Sequence, residues 1–235
     1  MNASVLDLLL PDECVLCATT LPARPAHLLC TPCLAAMPTN QICCTRCAFP
    51  LPEPGLCAEC ASADAAMPIA RTLTPNLHEG PARDLIHRFK YQQDLRAGQS
   101  LAHLLLQRVV PAYSYDEKPG LLIPVPMPWP RRVHRGFDHA AWLAGYCARR
   151  TGRKAHTTGL YRRRGKPQAR LSNNRRRRMP DNTFRIRAIP PARHVAIIDD
   201  VMTTGTTVRT LAGALRRAGV ERVDVWCLTR AVLVK

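Results

Sequence analysis

The sequence predicts an α/β domain built on a parallel sheet, preceded by a small domain held together by cysteine pairs. From Ile69 onward, short apolar runs alternate with amphipathic helices, which is the pattern of strands and helices in a parallel-sheet fold. Before that point, eight of the 11 cysteines form Cys-x-x-Cys pairs. A chain of 235 residues is long enough to bury a core and to carry such an appendage.

The cysteine pairs indicate metal sites within a first domain that covers residues 1–62. A two-residue spacer lets two thiolates of one turn face a tetrahedral ion, so two turns complete a four-thiolate zinc site. The sequence leaves open whether neighbouring or alternate pairs combine, although the short loops favour neighbours. We expect two structural Zn²⁺ ions with eight ligands, namely Cys14, Cys17, Cys30, Cys33, Cys44, Cys47, Cys57 and Cys60.

The remaining cysteines have simpler interpretations. Cys43 stands beside Cys44 and is an alternative ligand. Cys147 and Cys227 lie in apolar surroundings and are expected to pack in the core. A disulfide framework or a redox pair is the alternative for the paired cysteines, but four evenly spaced pairs are unusual for redox work.

The second domain, residues 69–235, begins after a linker of small residues. Helix boundaries follow from local signals: Pro81 suits a first helical position, Asp138 a cap, and Gly152 and Gly219 helix ends. In chain order we expect a strand at 69–74, helices at 81–91 and 101–110, a strand at 120–126, a helix at 138–152, a strand at 194–199, a helix at 206–219 and a strand at 222–230.

Two adjacent acids and then a run of small hydroxyl residues stand at the junction between the strand at 194–199 and the next helix. Asp199 and Asp200 repel each other, so their position indicates a bound ligand. A glycine permits close backbone approach, and a helix N-terminus attracts phosphate. The adjacent carboxylates suit the vicinal hydroxyls of a ribose. The phosphate would be held by Thr203, Thr204, Gly205, Thr206 and Thr207. The turn lacks the lysine of a Walker loop and the spacing of a dinucleotide fingerprint.

This stretch resembles the phosphoribosyl pyrophosphate (PRPP) signature of the type I phosphoribosyltransferases. The resemblance implies that Asp199 and Asp200 hold the ribose hydroxyls as catalytic residues, and that the threonine turn holds the 5′-phosphate. It also implies that Mg²⁺ accompanies PRPP and that pyrophosphate is displaced at the anomeric carbon, as in a pentosyl glycosyltransferase.

A longer resemblance covers nearly the whole chain. The segments LIHRFKY (85–91), IPVPMPWPRRVHRGFDHA (123–140) and RRRGKPQARLSNNRRRRMPDNTF (162–184), with four Cys-x-x-Cys turns before them, resemble the ComF family of competence and DNA-utilisation proteins. The resemblance implies a type I phosphoribosyltransferase-like domain behind a double zinc ribbon. It makes Lys90 and Arg135 candidate pyrophosphate contacts, with a solvated lysine as the alternative for Lys90. Asp138 and His139 depart from the family pattern, which has Asn-Gln there.

Positive charge is concentrated in one segment. The formal net charge is +17, and residues 131–193 hold 19 Lys or Arg against two acidic residues. Polyanions are natural partners of such a segment. Arg175, Arg176, Arg177 and Arg178 are candidate nucleic-acid contacts, with a solvated loop or a flap over the site as the alternative. The scarcity of aromatic residues there argues against a platform for stacking bases.

Three functions follow. The first is a Mg²⁺-dependent phosphoribosyltransferase whose acceptor the sequence does not name. The second is a module that binds single-stranded DNA, and the third, implied by the family resemblance, is an adaptor whose zinc ribbons dock a DNA translocase or helicase. The N-terminus lacks a secretory signal and no stretch of roughly 18 apolar residues occurs, so we expect a cytoplasmic protein without a membrane span.

Overall fold

The computed structural model describes residues 12–22, 27–63, 67–114, 117–128, 136–162 and 180–232. The helices of this part of the chain are α1 (Thr31–Ala35), α2 (Ala58–Ser62), α3 (Gly80–Tyr91), α4 (Leu95–Val109), α5 (His139–Thr151) and α6 (Thr206–Arg217). The strands are β1 (Arg71–Leu73), β2 (Asn76–Leu77), β3 (Leu121–Pro124), β4 (Lys154–Ala155), β5 (Leu160–Arg162), β6 (Phe184–Ile186), β7 (His194–Met202) and β8 (Arg222–Arg230). Short 3-10 turns lie at Val110–Ala112 and Asp181–Thr183.

The main sheet is parallel, with the strand order β1-β8-β7-β3-β4 and β2 paired to the end of β8. The long strands β7 and β8 lie at its centre, and nearly every residue of β8 is buried. Continuous burial explains why both strands are apolar runs rather than alternating ones. The predicted α/β fold with a parallel sheet is confirmed. A separate antiparallel pair, β5 with β6, flanks the main sheet.

Side chains of the central strands alternate between two hydrophobic clusters. On β7, Ala196 and Ile198 enter one cluster, whereas Val195 and Ile197 enter the other. Because successive residues of a strand point to opposite faces, the two clusters lie on the two faces of the sheet.

The two halves of the N-terminal domain pack on different faces. In the first half, Cys14 and Val15 belong to the hydrophobic cluster that contains Ala196 and Ile198, together with residues of α3 and α4. In the second half, Cys44 and Cys47 belong to the hydrophobic cluster that contains Val195 and Ile197, together with residues of α6. Hydrogen bonds reinforce the docking, for example from the amide of Thr72 to the carbonyl of Thr45 at 3.0 Å. The second half therefore lies on the same face as the helix that follows β7.

One helix starts earlier than predicted. We expected a helix over 101–110, but α4 begins at Leu95. The reason is Asp94, whose carboxylate accepts hydrogen bonds from the amides of Arg96 and Ala97. The guanidinium of Arg88 holds the same carboxylate through Oδ2 at 2.5 Å, so the start of α4 depends on a residue of α3. Across the described ranges, no helix has the length and apolar character required to cross a bilayer.

Candidate functional site

The candidate site lies at the carboxyl end of β7, where the strand turns into α6. β7 places Asp199 and Asp200 near its end, residues 203–205 form a turn, and α6 begins at Thr206. Gly205 adopts a left-handed φ of 72°, a conformation that favours glycine. In open parallel sheets, ligands bind at the carboxyl ends of strands, so the fold places this turn where a ligand is expected.

The turn combines hydroxyl groups with the N-terminus of a 12-residue helix. The hydroxyl groups of Thr204 and Thr206 lie 2.8 Å apart, and the amide of Thr206 donates to Thr204 Oγ1 at 3.3 Å. Thr203 and Thr204 are exposed. The positive end of the helix dipole and these donors give the turn the properties of an anion site.

Asp200 is buried and held by two basic groups. Lys90 Nζ lies 2.9 Å and His139 Nε2 lies 2.7 Å from Oδ2 of Asp200. Burial acts to raise the pKa of Asp200, but the contacts with His139 and Lys90 outweigh it and hold this pKa well below its usual range. Asp200 is therefore an ionised carboxylate of fixed orientation.

Asp199 has the opposite character. Burial, followed by the charge of Asp200, raises the pKa of Asp199 to about 8. The amide of Asp200 donates to Asp199 Oδ1 at 2.9 Å, which only partly offsets these effects. The pair therefore offers one protonated and one ionised carboxyl group, and such a pair presents both a donor and an acceptor to neighbouring hydroxyl groups.

Lys90 reaches the site from the last turn of α3. The family resemblance makes it a candidate contact of the departing pyrophosphate, with a solvated side chain as the alternative, and the structure brings its Nζ to Asp200. A direct role toward pyrophosphate stays a prediction. Arg135 and the run Arg175–Arg178 lie outside the described residues.

His139 is a site residue that sequence reasoning did not select. Asp138 accepts a hydrogen bond from the amide of Ala141 at 3.0 Å and so caps α5, which places His139 in the first turn. The ring packs at an edge-to-face angle against Phe89. The signal was present in the sequence as a departure from the family pattern at positions 138 and 139, but it did not indicate a contact with the carboxylate pair.

The cysteine pairs form two clusters, each from neighbouring pairs. The first consists of Cys14, Cys17, Cys30 and Cys33, and the second of Cys44, Cys47, Cys57 and Cys60, with the sulfur atoms of each within 4.8 Å of one another. Tetrahedral zinc with Zn–S bonds of about 2.3 Å separates its sulfurs by about 3.8 Å. The distances of 3.5 Å between the sulfurs of Cys17 and Cys30 and 3.6 Å between those of Cys47 and Cys57 fit that geometry.

The unpaired cysteines lie elsewhere. Cys43 is in neither cluster, and burial raises its pKa. Cys147 and Cys227 are buried in the core, as their apolar surroundings predict, and burial raises the pKa of both.

Comparisons with known proteins agree with this architecture. The family model for a double zinc ribbon domain matches residues 5–61. DNA utilization protein YhgH of Salmonella typhimurium is 32% identical in an alignment of 231 positions that covers 96% of this chain and 100% of that protein. The protein of the same name from Escherichia coli K12 matches with the same identity and coverage. Competence protein F of Haemophilus influenzae is 34% identical in an alignment of 165 positions that covers 64% of this chain and 69% of that protein. The chain therefore belongs to the ComF family, together with the DNA utilization and competence proteins that it resembles.

Proposed function

We propose that this chain is a PRPP-binding, phosphoribosyltransferase-like protein that acts in competence or DNA utilisation. The observation that carries the proposal is the junction of β7 and α6, where two adjacent carboxyl groups, the buried Asp200 and the half-buried Asp199, precede a threonine-glycine turn at a helix N-terminus. A phosphorylated sugar presents vicinal hydroxyl groups and a phosphate in the same order. The names of the relatives support the biological setting.

Each part of the junction has a role in this proposal. The amides and hydroxyl groups of residues 203–207 bind the 5′-phosphate. Asp199, while protonated, donates to one ribose hydroxyl, and the ionised Asp200 accepts from another. Carboxylate oxygens and pyrophosphate are ligands that Mg²⁺ prefers, so the donor set suits a Mg²⁺–PRPP complex. The ion, when bound, would neutralise charge on the pyrophosphate.

The proposed reaction transfers the phosphoribosyl group to an acceptor. The bond between the anomeric carbon and the pyrophosphate oxygen breaks with its electron pair leaving on pyrophosphate, and a bond to a nucleophilic atom of the acceptor forms. Positive charge develops on the sugar, where the carboxylate of Asp200 stabilises it. Cationic side chains near the pyrophosphate, with Lys90 and Arg135 as candidates, stabilise the departing anion.

The test is a paired measurement of PRPP binding and pyrophosphate release. The wild-type protein is titrated with PRPP and Mg²⁺ and then assayed against a panel of nucleobases and nucleosides. Asp199→Asn combined with Asp200→Asn should abolish both signals. A control with the same change in formal charge, Asp84→Asn with Glu117→Gln on the exposed surface, should keep both. Pyrophosphate release that survives in the double carboxylate variant would contradict the assignment.

A second candidate is binding of single-stranded DNA, with PRPP as an effector or dispensable. Besides the excess of basic residues, a feature of the β5–β6 pair favours it. The ring of Tyr161 on β5 is about half exposed, and the guanidinium of Arg187 lies 5.1 Å from its centroid. An exposed aromatic ring beside an arginine is a surface on which a base stacks. This surface lies where the chain enters and leaves the arginine-rich segment 163–179. Docking of a DNA translocase stays a prediction from the family resemblance.

A further inference from the structure

Arg230, the last residue of β8, links the second cysteine cluster to the turn at residues 203–205, which we call the phosphate turn after its proposed ligand. Its side chain is buried, with 6% of the residue exposed. Nε donates to the carbonyl of Cys47 at 3.1 Å, and one terminal nitrogen donates to the carbonyl of Met202 at 3.1 Å and to that of Thr203. Cys47 belongs to the second cluster, Met202 ends β7, and Thr203 begins the turn. One guanidinium therefore holds both backbones.

Arg209 makes a second link of the same kind. From the first turn of α6 it donates to the carbonyl of Thr204, and its other terminal nitrogen lies 3.3 Å from Glu59 Oε1. Glu59 lies in α2, between the third and fourth cysteines of the second cluster. The turn is thus attached to the second zinc ribbon at both Thr203 and Thr204.

The charges of these groups are complementary. Four thiolates with one Zn²⁺ carry a net charge of about −2. Within the described ranges, the hydrogen-bond acceptors of Arg230 are all backbone carbonyls, so no carboxylate compensates its buried charge. The zinc-loaded second cluster supplies negative charge on the side where Cys47 lies. Loss of the ion would free the chain around Cys47, which anchors Arg230, and the helix that carries Glu59, which anchors Arg209.

The first cysteine cluster contacts other parts of the fold than the second does. It packs on the other face of the sheet, where Arg96 of α4 donates to the carbonyl of Glu13 at 2.8 Å and Arg88 of α3 donates to that of Val15. It therefore provides an internal control, because the same metal chemistry occurs away from the phosphate turn.

We infer that the second zinc site, acting through Arg230 and Arg209, positions the phosphate turn, so that loss of this ion weakens phosphate binding whereas loss of the first does not. Arg230 and Arg209 are positioning residues in this scheme and do not touch the ligand. The inference rests on the proposed function for the identity of the ligand. The rigidity of the turn can be measured without any ligand, by hydrogen exchange of its backbone amides.

The experiment uses the full-length, zinc-loaded protein and four variants. Cys57→Ser and Cys30→Ser each remove the third cysteine of one cluster, and both cysteines directly precede a short helix. Arg230→Gln and Arg209→Gln break the links and leave all eight thiolates in place. Zinc content, affinity for PRPP with Mg²⁺, affinity for inorganic phosphate, and hydrogen exchange of the amides of residues 202–209 are measured for each.

The inference predicts a specific pattern. Cys57→Ser loses one zinc and Arg230→Gln loses none, yet both weaken PRPP and phosphate binding by about tenfold, which corresponds to about 1.4 kcal/mol. Arg209→Gln has a smaller effect in the same direction. In these three variants the amides of residues 202–209 exchange faster. Cys30→Ser loses one zinc and keeps the affinities and the exchange rates of the wild type.

Two results would overturn the inference. One is exchange of residues 202–209 that is equal in Arg230→Gln and the wild type. The other is an equal loss of phosphate affinity in Cys30→Ser and Cys57→Ser. If Cys57→Ser fails to fold, Arg230→Gln decides alone, since its zinc sites are complete. A wild-type protein that binds neither PRPP nor phosphate would contradict the proposed function, and the exchange data would still decide whether the second zinc site orders the turn.

Discussion

Nε2 of His139 lies 2.7 Å from Oδ2 of Asp200, although the two residues belong to different elements, α5 and β7. Contact with an ionised carboxylate requires a hydrogen on Nε2, so Asp200 fixes which ring nitrogen faces it as a donor. Lys90 approaches the same oxygen at 2.9 Å. The carboxylate of Asp200 is therefore held in one orientation. Its Oδ2 is occupied by His139 and Lys90.

The first prediction concerns that contact. His139→Leu removes a donor from a buried carboxylate and should lower the free energy of unfolding by about 1 to 3 kcal/mol and weaken PRPP binding about tenfold. His139→Gln keeps an N–H donor at nearly the same position and should restore most of both. Thermal unfolding and calorimetric titration measure the two effects. Equal losses in Leu and Gln variants would show that ring packing against Phe89, not the hydrogen bond, is what matters.

The second prediction concerns pH. The pKa of Asp199 is about 8 in the folded protein and about 4 in an unfolded chain. The folded state therefore holds an extra proton across that interval, and this group's contribution to stability is lost as the pH rises from about 4 to about 8. Asn cannot ionise, so the stability of Asp199→Asn relative to the wild type should rise with pH across the same interval, by at most about 1.4 kcal/mol per pH unit.

The control for this prediction is Asp84→Asn, an exposed substitution on α3. Denaturant unfolding at several pH values between 5 and 8 measures the difference between variant and wild type. Asp200 has the opposite pH dependence, because its pKa is lowered in the folded protein. Its ionised carboxylate stabilises the fold above about pH 4, and that stabilisation is lost as the pH falls below this value. A difference for Asp199→Asn that stays constant with pH would mean that Asp199 is ionised throughout.

The third prediction concerns metal content. Purified protein should contain about two zinc ions per chain, one for each four-cysteine cluster. Cys44→Ser should lose one of them, whereas the adjacent Cys43→Ser should lose none, because Cys43 lies outside both clusters. Elemental analysis of the two variants measures this directly. Equal zinc content in both would contradict the assignment of ligands.

The fourth prediction concerns DNA. Each phosphate contact with single-stranded DNA contributes about 0.7 to the slope of log affinity against log salt concentration. Replacing Arg175, Arg176, Arg177 and Arg178 with Ser should therefore reduce the slope by about 3 if each arginine neutralises one phosphate.

A matched control for the DNA measurement replaces four exposed arginines outside the basic segment, namely Arg83, Arg108, Arg216 and Arg217. This control removes the same charge and should change the slope far less. Fluorescence anisotropy with a labelled oligonucleotide at several salt concentrations measures both. Binding that does not depend on salt would rule out contacts to the phosphate backbone.

The elements of the candidate site were predictable from local signals. The apolar run of β7, the acids at its end, and the glycine before α6 are adjacent in the sequence, and each has a backbone or charge requirement of its own. The same is true of the Cys-x-x-Cys turns. Their pairing was left open because spacing alone does not fix it, and the structure settles it through packing of the two clusters on opposite faces.

The contacts that tune the site were not predictable in this way. His139 meets Asp200 only after α5 packs beside β7, and Arg230 meets Cys47 across 183 positions of sequence. The early start of α4 is different, because its cap is local: Asp94 accepts hydrogen bonds from the amides of Arg96 and Ala97, a signal that the sequence did contain. Sequence periodicity reports which face of an element is buried, but it does not report which partner lies there.

The central claim is that the junction of β7 and α6 binds PRPP, and calorimetric titration with PRPP in the presence of Mg²⁺ tests it most directly. We predict saturable heat with one site per chain for the wild type, and none for Asp199→Asn combined with Asp200→Asn. Absence of binding in a folded, zinc-loaded wild-type protein would contradict the claim, as would equal binding by the double variant.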